Sequence, residues 1–207
     1  MHTTRHAARR TGAALAAVLA LGLGAPALAS GPSVSHTQLA GVGVSVGLQS
    51  APYCGIYWGS LPRTNGTAGT SGTVDNVRAG RHACFDRMVI DVDEVPASLT
   101  YDVRYVDVLR APGSGAKIAL DGGAALQIVL RAPAYDDAGN ATYTPSNSKR
   151  LVGVSGWSTF RQVAMAGSFE GQTTFGLGVR ARLPYRVLVL DGPGDGARLV
   201  VDVGHRW

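Results

Sequence analysis

From Phe85 onward the chain is dominated by a period of two. FDRMVIDV sets Met88, Ile90 and Val92 against Arg87, Val89 and Asp91, and YDVRYVDV separates Tyr101, Val103 and Tyr105 from Asp102 and Arg104. Successive side chains of a strand point to opposite faces, so these runs predict half-buried strands. FGLGVRARL repeats the pattern, with Phe175, Leu177, Val179 and Ala181 opposite Gly176, Gly178, Arg180 and Arg182. The run Val187 to Leu190 is apolar on both faces, which predicts a place at a sheet centre. It is joined to RLVVDV through the turn Asp191-Gly192-Pro193-Gly194. Residues 117–120 and 124–130 flank Asp121-Gly122-Gly123, whose glycines permit a tight reversal, so a hairpin is expected there. Near the start, Val42, Val44 and Val46 alternate with Gly43, Ser45 and Gly47, which reads as a first strand or an ordered arm.

Between these runs lie polar stretches. Residues 61–74, LPRTNGTAGTSGTV, offer few groups to bury and read as a mobile loop, and residues 132–150 read as a long exposed one. No amphipathic helix of any length stands out. The one place for a short helix is Val152 to Ala166, weakened by Gly153 and Gly156. The predicted class is all-β, built of antiparallel sheets with little helix.

One internal similarity constrains strand pairing. RMVIDV at 87–92 and RLVVDV at 198–203 share the form Arg, apolar, Val, apolar, Asp, Val. Arg and Asp four positions apart share a strand face but sit about 13 Å from each other, so their partners must come from other strands. If the copies pair antiparallel about Val89 and Val200, Arg87 faces Asp202 and Arg198 faces Asp91. The copies would then hold equivalent places in a pseudo-symmetric fold.

The N-terminus changes how the charge is read. A basic start (Arg5, Arg9, Arg10), an apolar stretch from about Gly12 to Leu23, and Ala27-Leu28-Ala29 before Ser30 predict a signal peptide over 1–29. The stretch is short of the roughly 20 apolar residues that span a bilayer, so no membrane span is expected in the mature chain. Arg9-Arg10 permits twin-arginine export, but the residues after the pair favour general secretion. Cleavage leaves 178 of the 207 residues, a length for one domain, and lowers the formal charge from +5 to +2. That is too mild a surplus to predict a nucleic-acid partner. Cys54 and Cys84 lie in the exported part, where an oxidising compartment predicts one disulfide.

Candidate chemistry is sparse. The mature chain has His36, His82 and His205, with Glu94 and Glu170 as its glutamates, and neither H-E-x-x-H nor G-x-S-x-G occurs. No catalytic residue, metal ligand or cofactor is therefore assigned. Asp136, Asp137 and Asn140 could hold Ca²⁺ loosely, but they lack the EF-hand spacing and read as a solvated loop. Binding offers two candidates. Tyr57 and Trp58 lie near the first cysteine, where a disulfide could fix aromatic faces for a glycan; the competing reading packs them over the bridge. Arg180, Arg182 and Arg186 could hold carboxylates or phosphates, the first two sharing a strand face with glycines that leave room for a ligand. The competing reading is a solvated, cross-strand-paired face.

The order HACFDRMVIDV, YDVRYVDV, FEGQTTFGLGVRARLPYRVLVLDGP and RLVVDVGHRW resembles the AMIN-like domain of secreted actinobacterial proteins and lipoproteins. The resemblance runs over 53–207, after the signal peptide at 1–29 and an arm or first strand at 30–52. It implies a β sandwich-like fold, an extracytoplasmic, cell-envelope location and a binding role. It implies no activity, because in amidases with related AMIN domains the zinc hydrolase is a separate domain. Lipoprotein members carry a lipid-bearing Cys that this sequence lacks near the predicted cleavage point. The expected function is non-catalytic binding of peptidoglycan or another wall polymer, such as an anionic glycopolymer. An interaction module for an exported partner protein is the alternative, and a hydrolase with a distributed site stands third.

Overall fold

The computed structural model describes residues 52–69, 72–95 and 99–207. The expected signal peptide and the alternating stretch at Val42 to Val46 lie outside the described residues. The chain order is a 3-10 turn (Tyr53–Gly55), then β1 (Arg63–Thr64), β2 (Thr73–Arg81), β3 (Phe85–Asp93), β4 (Tyr101–Val106), β5 (Leu109–Arg110) and β6 (Lys117–Ile118). It continues with β7 (Ala124–Leu130), β8 (Phe160–Phe169), β9 (Gln172–Val179), β10 (Tyr185–Asp191) and β11 (Ala197–Gly204). No α-helix occurs among the described residues, and none is long and apolar enough to cross a membrane.

Two antiparallel sheets carry the fold, a five-stranded one ordered β1-β4-β7-β9-β8 and a four-stranded one ordered β10-β11-β3-β2. The period-two pattern aims one face of each at a common core. Met88, Ile90, Val92, Leu199, Val201 and Val203 from the four-stranded sheet share a single buried cluster with Val103, Leu126, Ile128, Phe175 and Leu177 from the five-stranded one. The sandwich expectation is met. Two tyrosines pin the sheets together across one end. The Tyr185 hydroxyl donates to the carbonyls of Leu61 and Val103 at 2.7 and 2.8 Å, and the Tyr105 hydroxyl donates to that of Leu183 at 2.7 Å. Their rings meet edge to face at 5.7 Å.

Burial pushes both phenols up, from 10.0 to about 12. A raised folded value means that the unfolded chain loses its protons first, so stability is complete below pH 10 and falls between pH 10 and about 12. We expect two tyrosines to titrate near pH 12 in the folded protein by absorbance at 295 nm. Urea midpoints should decline over the same window, and less steeply in Tyr105→Phe.

Several local expectations are overturned. Residues 117–120 and 124–130 do not form a hairpin with each other: β6 pairs with β5, because both edges of β7 are occupied by β4 and β9. The run Val187 to Leu190 lies in β10, at an edge rather than a centre, with Val189 and Leu190 38% and 39% exposed. The central strands are β3 and β11, bonded on both sides. Val152 to Ala166 forms no helix; its second half belongs to β8. Residues 61–74 are not all loop, since Arg63 and Thr64 pair with Val103 and Asp102, and Thr73 opens β2. The exposed stretch at 132–150 is tied down at its start, where Ala132 and Ala134 are buried.

Candidate functional site

The pairing expected from the repeated hexapeptide is present. In β3 and β11 Val89 lies opposite Val200, Arg87 opposite Asp202, and Asp91 opposite Arg198. β10 extends the row by placing Arg186 beside Asp202. Asp202 is fully buried although it points away from the core, because two guanidinium groups cover it. Arg87 donates Nε and Nη2 to its carboxylate at 2.6 and 2.9 Å, and Arg186 donates Nε at 2.8 Å. That bidentate bond pushes the Arg87 guanidinium further up, against the opposing effect of burial.

The second half of the symmetry is broken. Asp91 accepts Nε and Nη2 of Arg78, on β2, at 2.8 and 2.9 Å, while Arg198 turns to the Asp191 carbonyl at 2.9 Å. The outer face of this sheet therefore carries Arg78, Arg87, Arg186 and Arg198 around an apolar centre of Val89 and Val200.

At one end of that face the predicted disulfide forms. Cys54 and Cys84 lie 6.4 Å apart at Cα and tie the 3-10 turn to the β2–β3 connection. This fixes a run of rings: Trp58 donates Nε1 to the Tyr53 carbonyl at 2.9 Å and packs against Phe85 at 6.0 Å, and His82 stacks on Phe85 at 4.4 Å. Arg186 lies over Trp58 and Phe85 at 5.7 and 5.4 Å, and Arg87 over Phe85 at 5.2 Å. Guanidinium groups over ring faces gain cation–π attraction, so salt bridge and rings hold each other in place. Tyr57, just after the turn, stands 86% exposed.

Of the residues singled out from sequence, Trp58 and Arg186 are thus brought together, with Tyr57 at their margin. Arg180 and Arg182 are placed elsewhere. β9 ends at Val179, so neither lies on a strand face. Arg180 donates to the carbonyls of Ser158 and His205 at 3.2 and 2.7 Å. Arg182 caps the Tyr105 ring at 4.8 Å. The space beside Gly176 and Gly178 is not open to a ligand either. A Cβ at Gly176 would come within 2.2 Å of Leu109 Cδ2, and one at Gly178 within 2.1 Å of the Asp121 carbonyl. The glycines instead admit the β5–β6 hairpin and the segment after it, which cover the outer face of the five-stranded sheet. We expect Gly176→Ala, on central strand β9, to cost about 1–3 kcal/mol through overpacking, measured as a lowered urea midpoint with unchanged slope.

Phe85, Arg87, Asp202 and Arg78 were not singled out as site residues. For Arg87 and Asp202 the repeated hexapeptide carried the signal as a pairing rule; for Arg78 no local signal existed, since its β2 strand breaks the alternation.

Two other carboxylates serve the fold. Asp86 is fully buried, accepts the backbone N–H groups of Thr159 and Phe160 at 2.7 and 3.0 Å, and lies 3.1 Å from His205 Nε2. It links β3 to the start of β8 in the opposite sheet. Asp136 accepts the backbone and side-chain N–H of Asn140 at 2.7 and 2.9 Å, closing its own loop, and these bonds hold its carboxyl below the usual range. Burial, then Asp75, Asp195 and Glu94, push the Asp93 carboxyl up, so the far end of the four-stranded sheet is acidic where the disulfide end is cationic. No three His, Cys, Asp or Glu side chains come together as a metal site among the described residues.

The family model of the AMIN-like domain matches residues 72–205, from the start of β2 through β11. No curated protein and no solved structure matches.

Proposed function

The chain belongs to the AMIN-like domain family, and from that premise we propose that it is an exported, non-catalytic envelope protein that holds peptidoglycan or another wall polymer. The family points to a peptidoglycan-associated, extracytoplasmic module, and the leader-like N-terminus supports export. The observation that carries the reading is the disulfide-fixed cluster of Trp58 and Phe85 with Arg186 over both rings, next to the exposed Tyr57. Sugar rings stack on aromatic faces, and guanidinium groups bind the carboxylates and phosphates that wall polymers carry. Among the described residues Arg186 gives only Nε to Asp202, which leaves its terminal amines for a ligand.

Co-sedimentation with purified cell walls tests this. Pellet retention is expected to weaken as salt rises, because charged contacts are screened. Tyr57→Ala should reduce it several-fold without lowering thermal stability. Absence of retention from low to physiological salt would overturn the reading.

The open edge of β10 favours a second reading. Beyond the bridge between Gly59 and Tyr185 its outer edge has no strand partner among the described residues, and an exported partner could add a strand there. A partner from culture supernatant whose binding is lost in Val189→Pro, with wall retention intact, would support that mode over the first.

A further inference from the structure

Resting on the wall-binding reading, we propose that a groove on the outer face of the four-stranded sheet takes the terminal carboxylate of an alanine-rich wall peptide. The groove has a volume of about 270 Å³ and runs across β2, β3, β11 and β10. Val89 and Val200 lie buried beneath it and exposed Leu190 forms one wall, while Arg78, Arg87 and Arg198 stand around it with His82 at the disulfide end.

The charges around the groove do not balance, the acidic cluster at Asp93 lying beyond it at the far end of the sheet. Four guanidinium groups, those of Arg78, Arg87, Arg186 and Arg198, meet two carboxylates, Asp91 and Asp202. The imbalance has a structural origin. Asp202 serves two arginines, and Asp91, which the register sets opposite Arg198, is held by Arg78. Arg198 is left on a neutral carbonyl, which orients its guanidinium without neutralising it. The groove is a preorganised site lacking one or two negative charges.

The apolar wall decides which anion it suits. Leu190, 39% exposed, would sit against the body of the ligand, and an alanyl end presents a methyl group directly beside its carboxylate. A polyol phosphate would press hydroxyl groups onto this leucine and leave their hydrogen bonds unmade, which is costly. The small volume matches the last residues of a peptide rather than a sugar ring stack. The aromatic cluster and this groove share Arg87, so a glycan on Trp58 and Tyr57 and its attached peptide could be held by one continuous face.

The test uses the full mature protein and N-acetyl-D-alanyl-D-alanine, followed by calorimetry or NMR titration beside its C-terminal carboxamide and glycerol 1-phosphate. The acid should bind at least about tenfold more tightly than the amide, the difference expected for hydrogen bonds to a charged group. Arg198→Gln should lose about tenfold, Arg198→Lys less, and Arg104→Gln, on the other sheet, nothing; unchanged thermal unfolding of Arg198→Gln shows that the loss is local. Equal binding of acid and amide, preference for glycerol 1-phosphate, or an Arg198→Gln variant that binds the acid normally would each overturn the proposal. Wall sedimentation separates the two levels. Walls retained without dipeptide binding would sink the carboxylate groove and leave the wall-binding reading; dipeptide bound without wall retention would do the reverse.

Discussion

Replacing Asp202 with alanine is expected to destabilise the protein by about 3 kcal/mol, the largest effect of any single substitution on the binding face. Removing one member of a buried ion pair typically costs about 3–5 kcal/mol, because the partner charge is left without compensation. Here two partners are left, Arg87 and Arg186, whose side chains are 24% and 28% exposed against 0% for Asp202. Water reaching the arginines relieves part of the penalty, which places the estimate at the lower end of that range. For a domain of this size about 3 kcal/mol corresponds to roughly 6–12 °C in melting temperature. Asp202→Asn keeps an acceptor and should lose less. One control separates charge from shape: Asp202→Leu with Arg87→Met and Arg186→Met should recover much of the loss, since a well-packed apolar replacement of all the buried partners is often near neutral. The local readout is the near-ultraviolet circular dichroism of Trp58 and Phe85, which should weaken once Arg87 and Arg186 no longer hold the rings. An Asp202→Ala variant within 1 kcal/mol of the parent would show that the central valines alone hold the β3–β11 register and that the arginines are free to leave.

The same residues show how much of the molecule is legible in its sequence. The β3–β11 register could be read because two features coincide: a repeated hexapeptide, and a rule that Arg and Asp four positions apart on one strand cannot reach each other. Only the antiparallel register that sets Val89 against Val200 gives both pairs facing partners, and the strands adopt it. What the register does not reveal is competition from a third strand. Arg78 could not be foreseen at Asp91, because β2 carries a bulge between Val74 and Asn76 that shifts its inward face and leaves Val74 and Val77 both buried, three positions apart. β8 misleads in the same way. Bulges at Phe160/Gln162 and Met165/Gly167 set buried Phe160 and Val163 three apart, an interval that reads as helical.

Other gaps are long-range by nature. An apolar run such as Val187 to Leu190 says that both faces tolerate burial; whether the strand lies at a centre or an edge depends on partners far along the chain. The glycines of β9 signal a close approach, yet only the folded chain shows that Leu109, Leu120 and Asp121 make it. The candidate site divides along this line. Tyr57, Trp58 and Arg186 were found by residue type near a predicted disulfide or strand. Arg180 and Arg182 share a strand face with Gly176 and Gly178 only if the strand continues through them, and β9 ends at Val179.

Opening the disulfide is expected to cost about 3–4 kcal/mol and to loosen the aromatic end of the binding face. Cys54 and Cys84 are separated by 30 residues, and closing a loop of that length restricts the unfolded chain by about that free energy. The full effect requires that the loop stay part of the cooperative unit after the bond is cut. Three contacts argue that it does: the Tyr185 N–H donates to the Gly59 carbonyl at 2.7 Å, the Tyr185 hydroxyl to the Leu61 carbonyl, and β1 pairs with β4. Each lies inside the ring and ties it to one of the two sheets. The turn at Tyr53–Gly55 buries no residue and, beside the disulfide, is held by the Trp58 bond to the Tyr53 carbonyl and by Arg206 over the Tyr53 ring, both at partly exposed positions, so it should fray once Cys54 is released. Cys54→Ser with Cys84→Ser should therefore show a single unfolding transition at lower urea, together with faster amide exchange confined to residues 52–58 in the native state. Wall retention should fall with it, because Trp58 keeps its rings in line only while that turn holds. A double variant that unfolds within 1 kcal/mol of the parent would mean that residues 52–62 detach independently, and the aromatic cluster would then be a mobile arm rather than a rigid platform.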